Sequence, residues 1–181
     1  MLVVTRNDKA LRRPVRALLT SAERPDGFFI NIHDEPGPYM VGRETLKIEG
    51  HAQIRERVGG LSFLVSPTAF FQTNVRAASA LQQYVLTALA VSPATAATAS
   101  VATAPPVSPS RSINTPPRVL DLYCGSGLFS LTLAQAGARV TGIEENRQAV
   151  ADADANLRLN RLPASQVRFV AGRVEEALAR V

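Results

Sequence analysis

The sequence predicts an α/β fold: an incomplete doubly wound, Rossmann-like parallel sheet, preceded by a small α+β segment. Three observations predict it. Val119-Leu-Asp-Leu-Tyr-Cys-Gly-Ser-Gly-Leu-Phe-Ser-Leu131 reads as a buried strand, a glycine turn and the first turns of a helix. Val140-Thr-Gly-Ile-Glu144 reads as a second apolar strand ending on an acid, 19 residues after Gly125. Between these and the front of the chain lies Val91–Pro117, where 21 of 27 residues are Ala, Pro, Ser or Thr. That stretch holds one charge, Arg111, and no aromatic side chain. It cannot bury enough surface to offset the entropy of ordering, so it is expected to be a disordered linker.

Three segments follow from this division: 1–90, the linker 91–117, and 118–181. In the first, Leu2–Thr5 is expected to be a strand and Lys9–Ala22 a basic helix, with Pro14 tolerated in its first turns. Gly27–His33 is a strand by composition, and Asp34–Pro38 a turn. Tyr39–Val41, Thr45–Glu49 and Leu61–Ser66 are further strand candidates, the last with Leu61, Phe63 and Val65 alternating. From Asn74 to Ala90 the apolar residues Val75, Ala78, Leu81, Val85, Leu86 and Leu89 recur at helical spacing. In the last segment the strands are Val119–Tyr123, Arg139–Glu144 and Val167–Val170. Helices over Leu128–Ala136 and Asn146–Leu159 connect them, and Gly137 suits a helix C-terminus. Three parallel strands are half of a doubly wound sheet, so one face or edge is expected to be bare.

The glycine turn is where such a sheet holds a nucleotide-like cofactor, and its residues favour one class. A dinucleotide site needs three glycines, so that pyrophosphate can approach the helix N-terminus. Here Gly125 and Gly127 are present, and Ser130 stands in the third place. Asp121 puts a carboxylate four residues before Gly125, where it repels pyrophosphate and suits the sulfonium and ammonium of S-adenosylmethionine. Glu144 is placed to accept hydrogen bonds from ribose hydroxyls. A glycine turn without a ligand, or a nicotinamide site, stays open at this point.

Composition bounds the alternatives. With 181 residues and 46% hydrophobic content the chain can build one domain or two small ones. No apolar run reaches the roughly 18 residues of a membrane span, and no secretory pattern opens the chain. The single cysteine, Cys124, excludes an internal disulfide and fits a cytoplasmic setting. His33 and His51 stand apart, so no metal site is expected. Net charge is +5, and residues 1–20 carry five Lys or Arg against one Asp. That basic front suits a phosphate backbone or, as readily, a solvated helix face.

Two blocks carry a resemblance. Ser66-Pro-Thr-Ala-Phe-Phe-Gln-Thr-Asn74 is similar to the S-P-x-x-F-F-Q-x-N block of the RNA uracil-5-methyltransferases. Asp121–Leu131, with Gly142-Ile-Glu144 and Ala149-Val-Ala-Asp-Ala-Asp-Ala-Asn156, resembles that family's first two cofactor motifs. The resemblance implies an S-adenosylmethionine-dependent fold and C5 methylation of uracil in tRNA or ribosomal RNA. It implies cofactor contacts by Gln72, Tyr123 and Glu144, to which the residue chemistry adds Asp121, Gly125 and Gly127. Helix capping is the plain alternative for Gln72, and core packing for Tyr123. Phe70 or Phe71 could stack on the target base.

Departures matter equally. The family's nucleophilic thiol lies in an S-C-N-P-like segment after a D-P-P-R-like motif, and neither is found here. Cys124 matches a position that is not the nucleophile, so no catalytic residue is expected and the chain alone should be inactive. The family's N-terminal RNA-binding barrel and iron–sulfur cysteines are also missing, so both ends look cut. RNA is the expected partner, with no membrane and a monomeric chain. The rivals are a non-catalytic RNA-binding fragment and a nicotinamide-dependent oxidoreductase.

Overall fold

The computed structural model describes residues 1–35, 37, 41–89 and 115–180. The expected linker Val91–Pro117 therefore lies almost wholly outside the described residues, as do Tyr39 and Met40 of one expected strand and Pro36 and Pro38 of the turn. The chain divides into two compact units, residues 1–54 with 66–68, and residues 55–65 with 69–181. The division falls near residue 54 and again around 66–68, rather than at residue 90.

In the first unit, β1 (Leu2–Val4) pairs parallel to β2 (Gly27–Ile32), which pairs antiparallel to β3 (Glu44–Gly50). Helix α1 (Arg12–Leu19) is shorter than the sequence suggested, because Lys9–Leu11 forms a 3-10 turn capped by Asp8. Pro14 falls in the first turn, where no intrahelical N–H is lost. Val15 packs with Phe28, Ile30, Leu2, Val4 and Leu19, leaving Arg12, Arg13 and Arg16 exposed on the opposite side. Asn31, fully buried, donates to the Gly42 and Glu44 carbonyls and accepts from the Gly42 amide, tying β2 to the start of β3.

The second unit begins with a hairpin missed in the sequence: β4 (Ile54–Val58) and β5 (Leu61–Val65). Its turn residues Gly59 and Gly60 have φ of +57° and +86°, the pair of positive values a type I′ turn requires. The signal was the Gly-Gly pair immediately ahead of the apolar alternation of Leu61, Phe63 and Val65. Leu61, Phe63 and Val65 point inward as their alternation predicted.

Helix α2 (Val75–Ala88) starts at Asn74, whose side chain caps the Ala77 amide. Its buried face is not quite the expected one: Leu81 and Leu89 are exposed, whereas Gln82 is buried. Gln82 donates to the Thr132 hydroxyl at 2.6 Å, so a polar side chain takes the interior position by finding a partner there.

Strands β6 (Arg118–Leu122), β7 (Arg139–Glu144) and β8 (Val167–Ala171) form a parallel sheet in sequential order. Both crossovers, through α3 (Leu128–Gln135) and α4 (Arg147–Leu159), step the same way, so right-handedness puts both helices on one face. That face buries Val140, Val167, Leu128, Leu131, Leu133 and Leu157 with β5 and α2 in the main core. The short α5 (Val174–Ala177) covers only Ile143 and Val170 on the other face, where Leu120 and Leu122 stay exposed. Among the described residues, that face is left largely uncovered.

One side chain locks these parts. Asn156 of α4, with no exposed surface, accepts from the Leu64 amide and donates to the carbonyls of Leu64 and Ser126. One turn later Asn160 pairs the same way with both backbone groups of Ser62. The two amides substitute for a neighbouring strand along β5.

Candidate functional site

The site forms at the C-terminal ends of β6 and β7. The backbone leaves β6 through Tyr123 with φ of +59°, a left-handed conformation a non-glycine residue rarely adopts. Gly125 and Gly127 follow with φ of +54° and +87°, so three of five residues here turn the chain against its ordinary preference. Gly127 also caps α3, and a Cβ there would sit 3.2–3.4 Å from Phe169, Ala153 and Leu131. Gly127 is therefore needed both for its backbone angle and for close packing. Gly125 is half-buried and faces the Phe70 carbonyl, 3.5 Å from where its Cβ would lie.

Glu144 closes β7 beside this turn. Its Oε2 accepts from the Gly125 amide at 3.0 Å, and its Oε1 accepts from the Asn146 amide at 2.9 Å. Each carboxylate oxygen carries two lone pairs, so each keeps one for an incoming hydroxyl. The acid is anchored from behind and open in front.

Asp121 lies one strand over, half-buried, and its Oδ2 accepts from the Ser130 hydroxyl at 2.6 Å. Burial raises its pKa above the usual carboxylate value; Ser130 pulls the other way through hydroxyl and amide, and Glu144 adds a smaller upward push. The result is an anion short of solvation and of counter-charge. A cation brought to it would relieve that strain, whereas a pyrophosphate would increase it.

Cys124 sits in the same turn with the opposite character. Burial first, and then the charges of Asp121 and Glu144, push its thiol up to about 12. It is buried and protonated at any physiological pH, so it is no nucleophile.

The remaining candidates have the following surroundings. Tyr123 is 65% exposed and its hydroxyl approaches Glu175 at 3.4 Å, so it is not a core residue. Gln72 is half-buried, two residues after the Phe70 carbonyl that faces Gly125. It does not cap α2, since Asn74 does. The two phenylalanines part ways: Phe71 packs on Phe63 with ring centroids 5.5 Å apart, while Phe70 is 74% exposed. The sequence missed the role of Asn156, which fixes the Ser126 carbonyl in the turn. It also missed the orphaned Ser126 hydroxyl, buried without a hydrogen-bond partner.

In chemical kind these residues suit S-adenosylmethionine: a carboxylate with lone pairs left over, a desolvated carboxylate, an exposed aromatic ring and an orphaned hydroxyl. A groove lined by Arg118, Leu120, Arg139, Thr141 and Arg168 opens at the other end of the sheet. It plays no part in this arrangement.

The comparisons with known proteins agree with the fold. Residues 119–180 match the methyltransferase domain family. A 23S rRNA (uracil(747)-C(5))-methyltransferase of Pyrococcus abyssi is 36% identical over 130 residues, covering 72% of this chain and 25% of that protein. An uncharacterised RNA methyltransferase of Gloeobacter violaceus is 34% identical over 152 residues, 84% of this chain and 28% of that one. The chain thus spans less than a third of the length of the curated relatives it matches. Among solved structures, the Pyrococcus abyssi tRNA (uracil-54, C5)-methyltransferase, crystallised with S-adenosyl-L-homocysteine, superposes with a TM-score of 0.56 at 23% identity. That match covers 81% of this chain and 30% of the other. A SAM-dependent methyltransferase from Agrobacterium tumefaciens gives a TM-score of 0.51 at 22% identity, covering 91% of this chain and 43% of its own. In sequence the chain is similar to the RNA methyltransferases over about a quarter of their length, and in fold it is similar to the SAM-dependent methyltransferases.

Proposed function

We propose that these residues form the S-adenosylmethionine-binding part of an RNA methyltransferase that acts at C5 of uracil, in ribosomal RNA or tRNA. The observation that carries this reading is the pair of acids flanking one glycine turn, Glu144 anchored by two amides and Asp121 desolvated. In this reading Glu144 receives the ribose hydroxyls and Asp121 faces the cationic methionine end. Gly125 and Gly127 let the backbone approach closely, Tyr123 packs against the donor, and Gln72 meets its amino acid end. The exposed Phe70 is free to stack on an extruded base.

Uracil C5 is a poor nucleophile until a thiolate adds at C6, after which C5 takes the methyl group, a base removes the C5 proton and the thiolate leaves. Cys124 cannot be that thiolate, and it is the only thiol in the 181 residues. The reaction therefore needs a thiol supplied by other residues, and this chain by itself should bind donor without transferring methyl groups. RNA contact is assigned to the first unit, where Arg12, Arg13 and Arg16 line the exposed side of α1. The chain is taken to act as a cytoplasmic monomer.

Calorimetry of the whole chain with S-adenosylhomocysteine beside NADH tests the donor reading. Binding of the former alone is expected, and binding of NADH alone would replace it with an oxidoreductase. A pure RNA-binding role predicts RNA affinity that falls steeply with salt and no response to either small molecule.

A further inference from the structure

Ser130 is a buried hydroxyl in the first turn of α3, with no exposed surface, spending its hydrogen bond on a carboxylate of the neighbouring strand. Helix interiors do not favour serine, and at this depth an alanine or glycine would pack without a polar group to satisfy. The short 2.6 Å distance is that of a charge-assisted bond to an ionised acceptor. The position is also the one where a pyrophosphate-binding turn carries its third glycine.

We propose that Ser130 is the positioning residue of the site: its hydroxyl holds the Asp121 carboxylate ionised beside the glycine turn, and so selects a cationic cofactor over an anionic dinucleotide. The proposal rests on the donor reading above for its cofactor, but not for its geometry. The titratable groups that bear on the Asp121 carboxylate are Glu144 on β7 and the Cys124 thiol in the turn; α3 itself contributes no charge. Burial and Glu144 both favour the protonated acid; the Ser130 hydroxyl is the larger of the two groups that oppose them, the Ser130 backbone amide, which an alanine would keep, being the smaller. Without the hydroxyl, Asp121 would take up a proton more readily and lose its hold on a cation.

The test reads the acid directly. In the whole, ligand-free chain, carbon-13 NMR of the Asp121 carboxyl, assigned with Asp121→Asn, gives its titration midpoint. Ser130→Ala should move that midpoint upward, and Ser130→Thr, which keeps the hydroxyl, should restore it. In parallel, S-adenosylmethionine is compared with 5′-methylthioadenosine, which lacks both cationic groups. Loss of a hydrogen bond to a charged group predicts about tenfold weaker binding of the first in Ser130→Ala, with the second nearly unchanged. An unmoved midpoint, or equal loss for both ligands, overturns the proposal. If the unsubstituted chain binds neither ligand, the donor reading fails, and the titration still decides the role of Ser130. Circular dichroism of each variant separates a folded response from collapse.

Discussion

The two faces of the β6–β7–β8 sheet are built from the same three strands and have opposite fates. On one, Val140, Val167 and Phe169 pack with α3 and α4, and the strand surface itself is so crowded that a Cβ on Gly142 would come within 2.8 Å of Cys124 and Phe169. On the other, Leu120 and Leu122 remain more than 40% exposed, and among the described residues α5 supplies the cover. The difference follows from strand order: a sheet that grows in one direction sends every right-handed crossover to the same side. It also sets where chemistry sits. Asp121 and Glu144 alternate toward the packed side or end on its rim, where neighbouring groups can hold them.

The contrast makes substitutions on the two faces unequal. The largest effect is expected from Asn156→Ala on the packed side, which would leave the Leu64 amide and the Leu64 and Ser126 carbonyls without this partner. Urea unfolding at pH 7 should show a loss of about 3 kcal/mol. A loss within error would mean that water or a shifted backbone replaces the amide.

Asp121→Asn should act in the reverse direction. The folded acid has a raised pKa, so its charge costs stability once pH rises through that value, and the cost is absent at pH below the unfolded value. Removing the charge should therefore stabilise the free chain at pH 7, with the gain fading in acid. The same variant should lose affinity for S-adenosylmethionine. Stabilisation without loss of binding would break the link between strain and function.

Leu120→Ala on the open face should change stability least, within about 0.5 kcal/mol. A larger cost would show that this face is covered in solution, and analytical ultracentrifugation would then reveal a second copy.

Much of this was legible in the residues. The glycine turn, the acid ending β7 and the helix range that became α4 are local signals, and each lies where the sequence put it. What escaped were features set by partners far along the chain. Gln82 is interior with its amide nitrogen met by Thr132 and its Oε1 left unpaired, while Leu81 beside it is exposed. The pairing of Asn156 with Leu64 spans 92 residues, beyond any local pattern. The β4–β5 turn is a different case. Gly59-Gly60 announced it, but the charged alternation of Ile-Arg-Glu-Arg-Val58 carries too few apolar residues to read as a strand beside it.

The Asn156 side chain has a further implication. The same amide grips a strand of the hairpin and a carbonyl of the glycine turn, so the two share one anchor. Ordering of the pocket is thereby tied to a piece of chain more than 50 residues upstream, and wear on either one would be felt as slackness in the other.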